Sequence, residues 1–110
     1  MEKKKEISYK EIRQIKVSED SYVGLVEKKG FSTPREVIFW TDCTPWSANS
    51  LLSCKTNEAE SDILMDKIEK MSDKTIGTVL DELLDHIILA KGKIRHVDMG
   101  WKGIHYVCEI

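Results

Sequence analysis

Between Thr75 and Ala90 the chain reads TIGTVLDELLDHIILA. Its apolar residues Ile76, Val79, Leu80, Leu83, Leu84, Ile87 and Ile88 recur at steps of three and four, which predicts an amphipathic helix over 75–90 with all seven on one stripe. No other stretch constrains the fold as strongly. A stripe that wide must be buried, and in a chain of 110 residues it faces the core of one domain, 1–110. Asp81, Glu82 and Asp85 take the opposite side, and His86 falls with them as a surface residue. Gly92, just past Lys91, is placed to stop the helix.

The surface that receives this stripe has to come from strands. Residues 22–28 (YVGLVEK) and 36–42 (EVIFWTD) read as an antiparallel pair. The unbroken apolar run Val37-Ile38-Phe39-Trp40 marks the second as buried on both faces. The tail KIRHVDMGWKGIHYVCEI, from Lys93 to Ile110, alternates as a hairpin around Gly100-Trp101-Lys102-Gly103. A two-residue loop at Trp101-Lys102 pairs Met99 with Ile104, Val97 with Tyr106 and Arg95 with Cys108. That register gathers Val97, Met99, Ile104, Tyr106, Cys108 and Ile110 on the core face and puts His96, Asp98 and His105 on the other. The C-terminal strand then lies at a sheet edge open to a second copy. Ser61 is placed to cap a shorter helix over 62–71. Residues 43–60 show no clean period and read as a long loop. Residues 1–6 form a frayed Lys/Glu run. For 7–17, Ser8 followed by Glu11 suggests a capping box and a short helix running into an extended segment. The expected class is α+β: a mainly antiparallel sheet of four to five strands packed against two helices.

Charge narrows the partners. Residues 57–90 hold nine acids against three lysines, while residues 1–35 and 91–110 are mildly basic, and the whole chain carries −2. Phosphate repels an acidic helix face, so DNA binding through the helices is disfavoured. The segment between residues 71 and 75 therefore does not make a helix-turn-helix reader. A basic protein partner suits that face. No apolar run approaches the roughly 18 residues of a membrane span, so no membrane association is expected. The three cysteines, Cys43, Cys54 and Cys108, are odd in number and lack a C-x-x-C pair, which points to a reducing, cytoplasmic setting.

The chemistry-bearing residues form three groups. Trp46 and Trp101 sit in loop contexts, where aromatic side chains anchor protein interfaces. With Asp81, Glu82 and Asp85 they make a partner-binding set. Trp40, Trp46 and Trp101 with Arg35 and Arg95 make a second set, suited to stacking on and neutralising a nucleotide-like ligand. His96, Asp98 and His105 make a third, able in the predicted register to bind a divalent metal or to act as a His–Asp acid/base pair in a metal-dependent hydrolase. There is no glycine-rich phosphate loop, nucleophile elbow or H-E-x-x-H, so no catalytic residue or cofactor is assigned. The leading expectation is a small cytosolic non-catalytic binding protein, of the inhibitor, immunity or regulatory kind. A small-ligand binder and the metal-dependent hydrolase are the alternatives.

Overall fold

The computed structural model describes residues 9–28, 35–41, 50–98 and 104–110. Six strands form one sheet: β1 (Tyr9–Ser18), β2 (Ser21–Lys28), β3 (Arg35–Trp40), β4 (Ser50–Thr56), β5 (Lys93–Asp98) and β6 (Ile104–Glu109), in the order β1-β2-β3-β4-β6-β5. Helices α1 (Glu58–Lys70) and α2 (Ile76–Leu89) come between β4 and β5 in the chain and cover one face of the sheet. The architecture is α+β, as expected, but the sheet is mixed and has six strands. β6 runs parallel to β4, and every other neighbouring pair is antiparallel. The edges are therefore β1 and β5. The C-terminal strand is interior, against expectation, because the crossover through two helices returns the chain beyond β4 and leaves room for β6 between.

The core lies between the sheet and the helices. Val23 and Leu25 of β2, Val37 and Phe39 of β3, Leu52 and Cys54 of β4 and Cys108 of β6 meet Leu64, Met65 and Ile68 of α1 and Val79, Leu83 and Ile87 of α2. The central strand β3 is buried on both faces, as its continuous apolar run requires. On the far face a smaller cluster joins Val26, Ile38 and Trp40.

Two elements correct the sequence reading. Residues 9–18 are a strand throughout, so the extended part of the expected element reaches back to Tyr9 and no helix precedes it among the described residues. The register shifts between Glu11 and Arg13 and again between Lys16 and Ser18. Each irregularity moves the following residues to the other face, which is why the apolar parity of this stretch is broken. Residues 50–56 form β4, where a loop was expected. Its alternation of buried Leu52, Cys54 and Thr56 with Ser53 and Lys55 is a period-2 signal diluted by serine and lysine. Helix α1 also starts earlier than predicted: Asn57, not Ser61, is its cap and accepts from the Glu60 amide at 2.8 Å. Ser61 is buried and donates to the Glu58 carbonyl.

Helix α2 is bounded as expected, with a detail at each end. Thr75 and Thr78 close a reciprocal capping box. At the other end Lys91 takes the left-handed φ of 62°. Its amide donates to the Ile88 carbonyl at 2.9 Å, and the Gly92 amide to that of Ile87 at 2.8 Å, the two bonds of a Schellman stop. Gly92 serves close approach instead: a Cβ there would lie 2.6 Å from the Glu109 carbonyl oxygen. The apolar stripe of the helix is narrower than predicted. Val79, Leu83 and Ile87 are buried, Leu80 and Leu84 flank them, and Ile76 and Ile88 are exposed.

Candidate functional site

The outward ridge of α2 is built by helical spacing alone. Gly77, Asp81 and Asp85 follow at steps of four, and Ile88 and Leu89 lie three and four residues after Asp85, opposite the buried residues; all five are exposed. Ile88 and Leu89 keep 61% and 74% of their surface in solvent. Nothing lies within 4 Å of where a Gly77 side chain would begin. Glu82 is half-buried on the flank. Two exposed carboxylates, two large exposed aliphatic groups and a glycine thus share one surface.

The rest of the helical layer is acidic, but its acids are partly engaged. Arg13 of β1 donates to Asp66 at 2.9 Å and to Glu69. These contacts, that with Glu69 foremost, raise the guanidinium pKa further above its usual value. Arg35 of β3 lies 3.6 Å from both Glu58 and Asp62. Each arginine reaches up from the sheet into a pair of carboxylates on α1. Arg35 is accordingly bound within the fold, not presented to a ligand.

His86 is buried at 5% exposure, against the expectation of a surface residue. Residue 86 lies a single residue before Ile87 and three after Leu83, so it turns inward into the seam between the helices. Its Nδ1 lies 3.2 Å from Lys67 Nζ and its Nε2 lies 2.9 Å from Glu60 Oε1. The ammonium can only donate, so Nδ1 accepts and the ring hydrogen sits on Nε2, facing the carboxylate. The imidazole joins an acid and a base of α1 to α2, filling the role of a buried polar tie.

The tail departs from prediction by one residue of register. Val97 pairs with His105, His96 with Tyr106, Arg95 with Val107 and Ile94 with Cys108. Ile104 therefore pairs with Asp98 and not with Met99, and the turn expected at Trp101-Lys102 lies outside the described residues. Because side chains alternate, the slip turns over one strand relative to the other. His96 and Asp98 share the helix-side face with Tyr106, whose ring meets that of His96 edge-on at 4.9 Å between centroids. His105 is on the opposite face, where its Nδ1 donates to the Ser50 carbonyl at 2.8 Å. His96, Asp98 and His105 do not converge, and the predicted metal or acid/base centre is not formed. Among the described residues no three His, Cys, Asp or Glu side chains are grouped to hold a metal ion. Nor is any helix among them long and apolar enough to cross a membrane.

Trp40 is 3% exposed. It stacks on Tyr22 with centroids 5.8 Å apart and planes inclined by 26°. Its ring lies over Gly24, where a Cβ would come within 2.7 Å of Cζ3. It is a packing residue of the far face, not a platform for a ligand. Trp46, Trp101 and Cys43 lie outside the described residues.

On that same far face Arg95 is exposed, and it lines a depression of about 280 Å³ with Lys55, Lys93, Val107 and Glu109. Lys55 and Lys93 escape sequence reasoning because β4 reads as a loop. Once β4 is a strand, the parity of Lys55, Glu109 and Lys93 puts them in one row. Comparison with protein-family models, with curated proteins and with solved structures finds no match to this chain.

Proposed function

We propose that this chain is a small non-catalytic binding protein of the inhibitor or immunity kind, which captures a basic protein partner on the outward ridge of α2. One observation carries the reading: Asp81 and Asp85 share their ridge with Ile88 and Leu89, two large aliphatic side chains left largely in solvent. Carboxylates beside exposed apolar groups supply both halves of an interface, the charge that selects a partner and the area that holds it. Gly77 adds to this, since a helix gains nothing internally from a glycine there, whereas a partner's backbone gains room. Glu82 flanks the ridge, and Trp46 and Trp101 extend the partner-binding set. The odd, sparse cysteines favour action in the cytoplasm. If the chain self-associates by strand pairing, the edge strands β1 and β5 are the places for it.

A photo-crosslinking residue at position 85, compared with one at position 16 on the opposite face, tests the proposal. The expected outcome is a product specific to position 85, formed with a protein that is basic on its contacting surface. Its affinity falls about tenfold or more in Asp81→Asn/Asp85→Asn and in Ile88→Ser/Leu89→Ser, a size typical of interface anchors. Identical products from both positions, or an affinity indifferent to both double variants, would reject it.

A further inference from the structure

The far face of the sheet presents a second surface, opposite in sign to the helical one. Lys55 on β4 and Lys93 on β5 both register with Glu109 on β6, and Arg95 registers with Val107 two pairs along, on the same face. Together they line the depression of about 280 Å³. The cations here differ from the arginines of the helical face. Arg13 and Arg35 each have two carboxylate partners. Among the described residues the side chains of Lys55, Lys93 and Arg95 have no carboxylate within ion-pair distance, although Glu109 stands between the two lysines. Three open cations against Glu109, the one acid lining the depression, leave it net positive, with Glu36 of β3 across from Lys55 at its margin.

We infer that this depression binds the phosphomonoester group of a small metabolite. The charge balance selects the class, because a phosphomonoester carries about −1.5 to −2 at neutral pH and offers three acceptor oxygens. A guanidinium fork and an ammonium group on β5, with a second ammonium group on β4 across the intervening β6, suit those oxygens better than they suit a single carboxylate. Glu109, held among the cations, accepts from a hydroxyl or amine of the same ligand, and Val107 gives the remainder an apolar floor. The volume of about 280 Å³ falls just below the about 300–1,000 Å³ of drug-sized ligand pockets, so the ligand is no larger than a sugar phosphate or mononucleotide. The acidic helices lie on the other side of the sheet and do not compete for the anion. This site is independent of the α2 ridge and stands or falls without it.

Amide chemical-shift titration of the isotope-labelled full chain tests the inference, using adenosine monophosphate and glucose 6-phosphate as probes. Adenosine, glucose and sodium chloride at matched ionic strength are the controls. Saturable shifts confined to residues 53–55, 93–95 and 107–109 are expected with the two phosphomonoesters and absent with the controls. Lys93→Ala/Arg95→Ala weakens binding by about tenfold or more, the usual size for loss of charge-assisted hydrogen bonds. Glu109→Gln strengthens it, an effect of opposite sign that no loss of folding can imitate. Affinity also falls as pH drops below about 6, where the ligand takes up its second proton. The absence of saturable shifts in the wild-type chain overturns the inference, as does unchanged binding by the double variant. Tighter binding of an unphosphorylated-end oligonucleotide than of either probe reassigns the patch to backbone phosphodiesters and also overturns it.

Discussion

At the scale of single residues, the polar groups inside the fold decide more than the apolar ones. His86 links Glu60 and Lys67 across the helix seam, so replacing it leaves a charged partner on each side without its hydrogen bond and opens a cavity. His86→Ala is expected to lower unfolding free energy by about 2–3 kcal/mol, read from the urea midpoint at constant slope. His96→Ala, at an exposed position, should stay within about 0.5 kcal/mol. The two buried thiols give a pH signature. Burial pushes Cys54 up to about 12, with Cys108, Glu36 and Glu109 adding to it, and pushes Cys108 up to about 11, from an ordinary 9.0. Below pH 9 both folded and unfolded chains keep these protons and stability does not depend on them. Above it the unfolded chain releases protons that the folded chain retains, so stability falls as pH rises from about 9 through the folded values. Urea titrations at pH 8, 9 and 10 should show the loss, and Cys54→Ala should flatten its slope.

At the scale of elements, the ends of α2 were only half visible in the sequence. Gly92 marks the helix stop, but Lys91 adopts the left-handed turn, and a side chain in that conformation costs about 1 kcal/mol. Lys91→Gly should raise stability by about 0.5–1 kcal/mol in thermal or chemical unfolding. Gly92→Ala should lower it by more than 1 kcal/mol, because the new methyl meets the Glu109 carbonyl and Ile87. The long periodic segments, α2 and the doubly buried β3, were legible because burial imposes a pattern on every residue. β1 and β4 were not. The register shifts of β1 break its parity, and the serines and lysine of β4 dilute its alternation, although pairing with β2 makes the first a strand and pairing with β3 and β6 the second. The hairpin was recognised but its register was not, since two glycines around Trp101-Lys102 suggest a tight turn. A one-residue error there sufficed to invent a three-residue site, His96, Asp98 and His105, that the fold divides between faces. The α2 ridge was half legible: Asp81 and Asp85 were placed outward, as they are, while Glu82 is half-buried and Ile88, assigned to the core, is exposed.

At the scale of the whole molecule, charge is sorted by layer. The helical side carries the exposed acids, the far side of the sheet carries the open cations Lys55, Lys93 and Arg95, and the sheet separates them. The sheet, with β3 buried on both faces at its middle, thus lies between the two proposed surfaces. Position also governs assembly. β6 is parallel to β4 and lies between it and β5, yet it follows both in the chain. During synthesis the meander β1–β4 and both helices leave the ribosome while the inner border of β4 is still unsatisfied, and β5 emerges with no neighbour to join. Until β6 slides between them, the nascent chain displays two bare backbone rows, the state in which sheet proteins most readily seek the wrong company. For this chain, vulnerability to aggregation is concentrated in the interval between the emergence of β5 and that of β6.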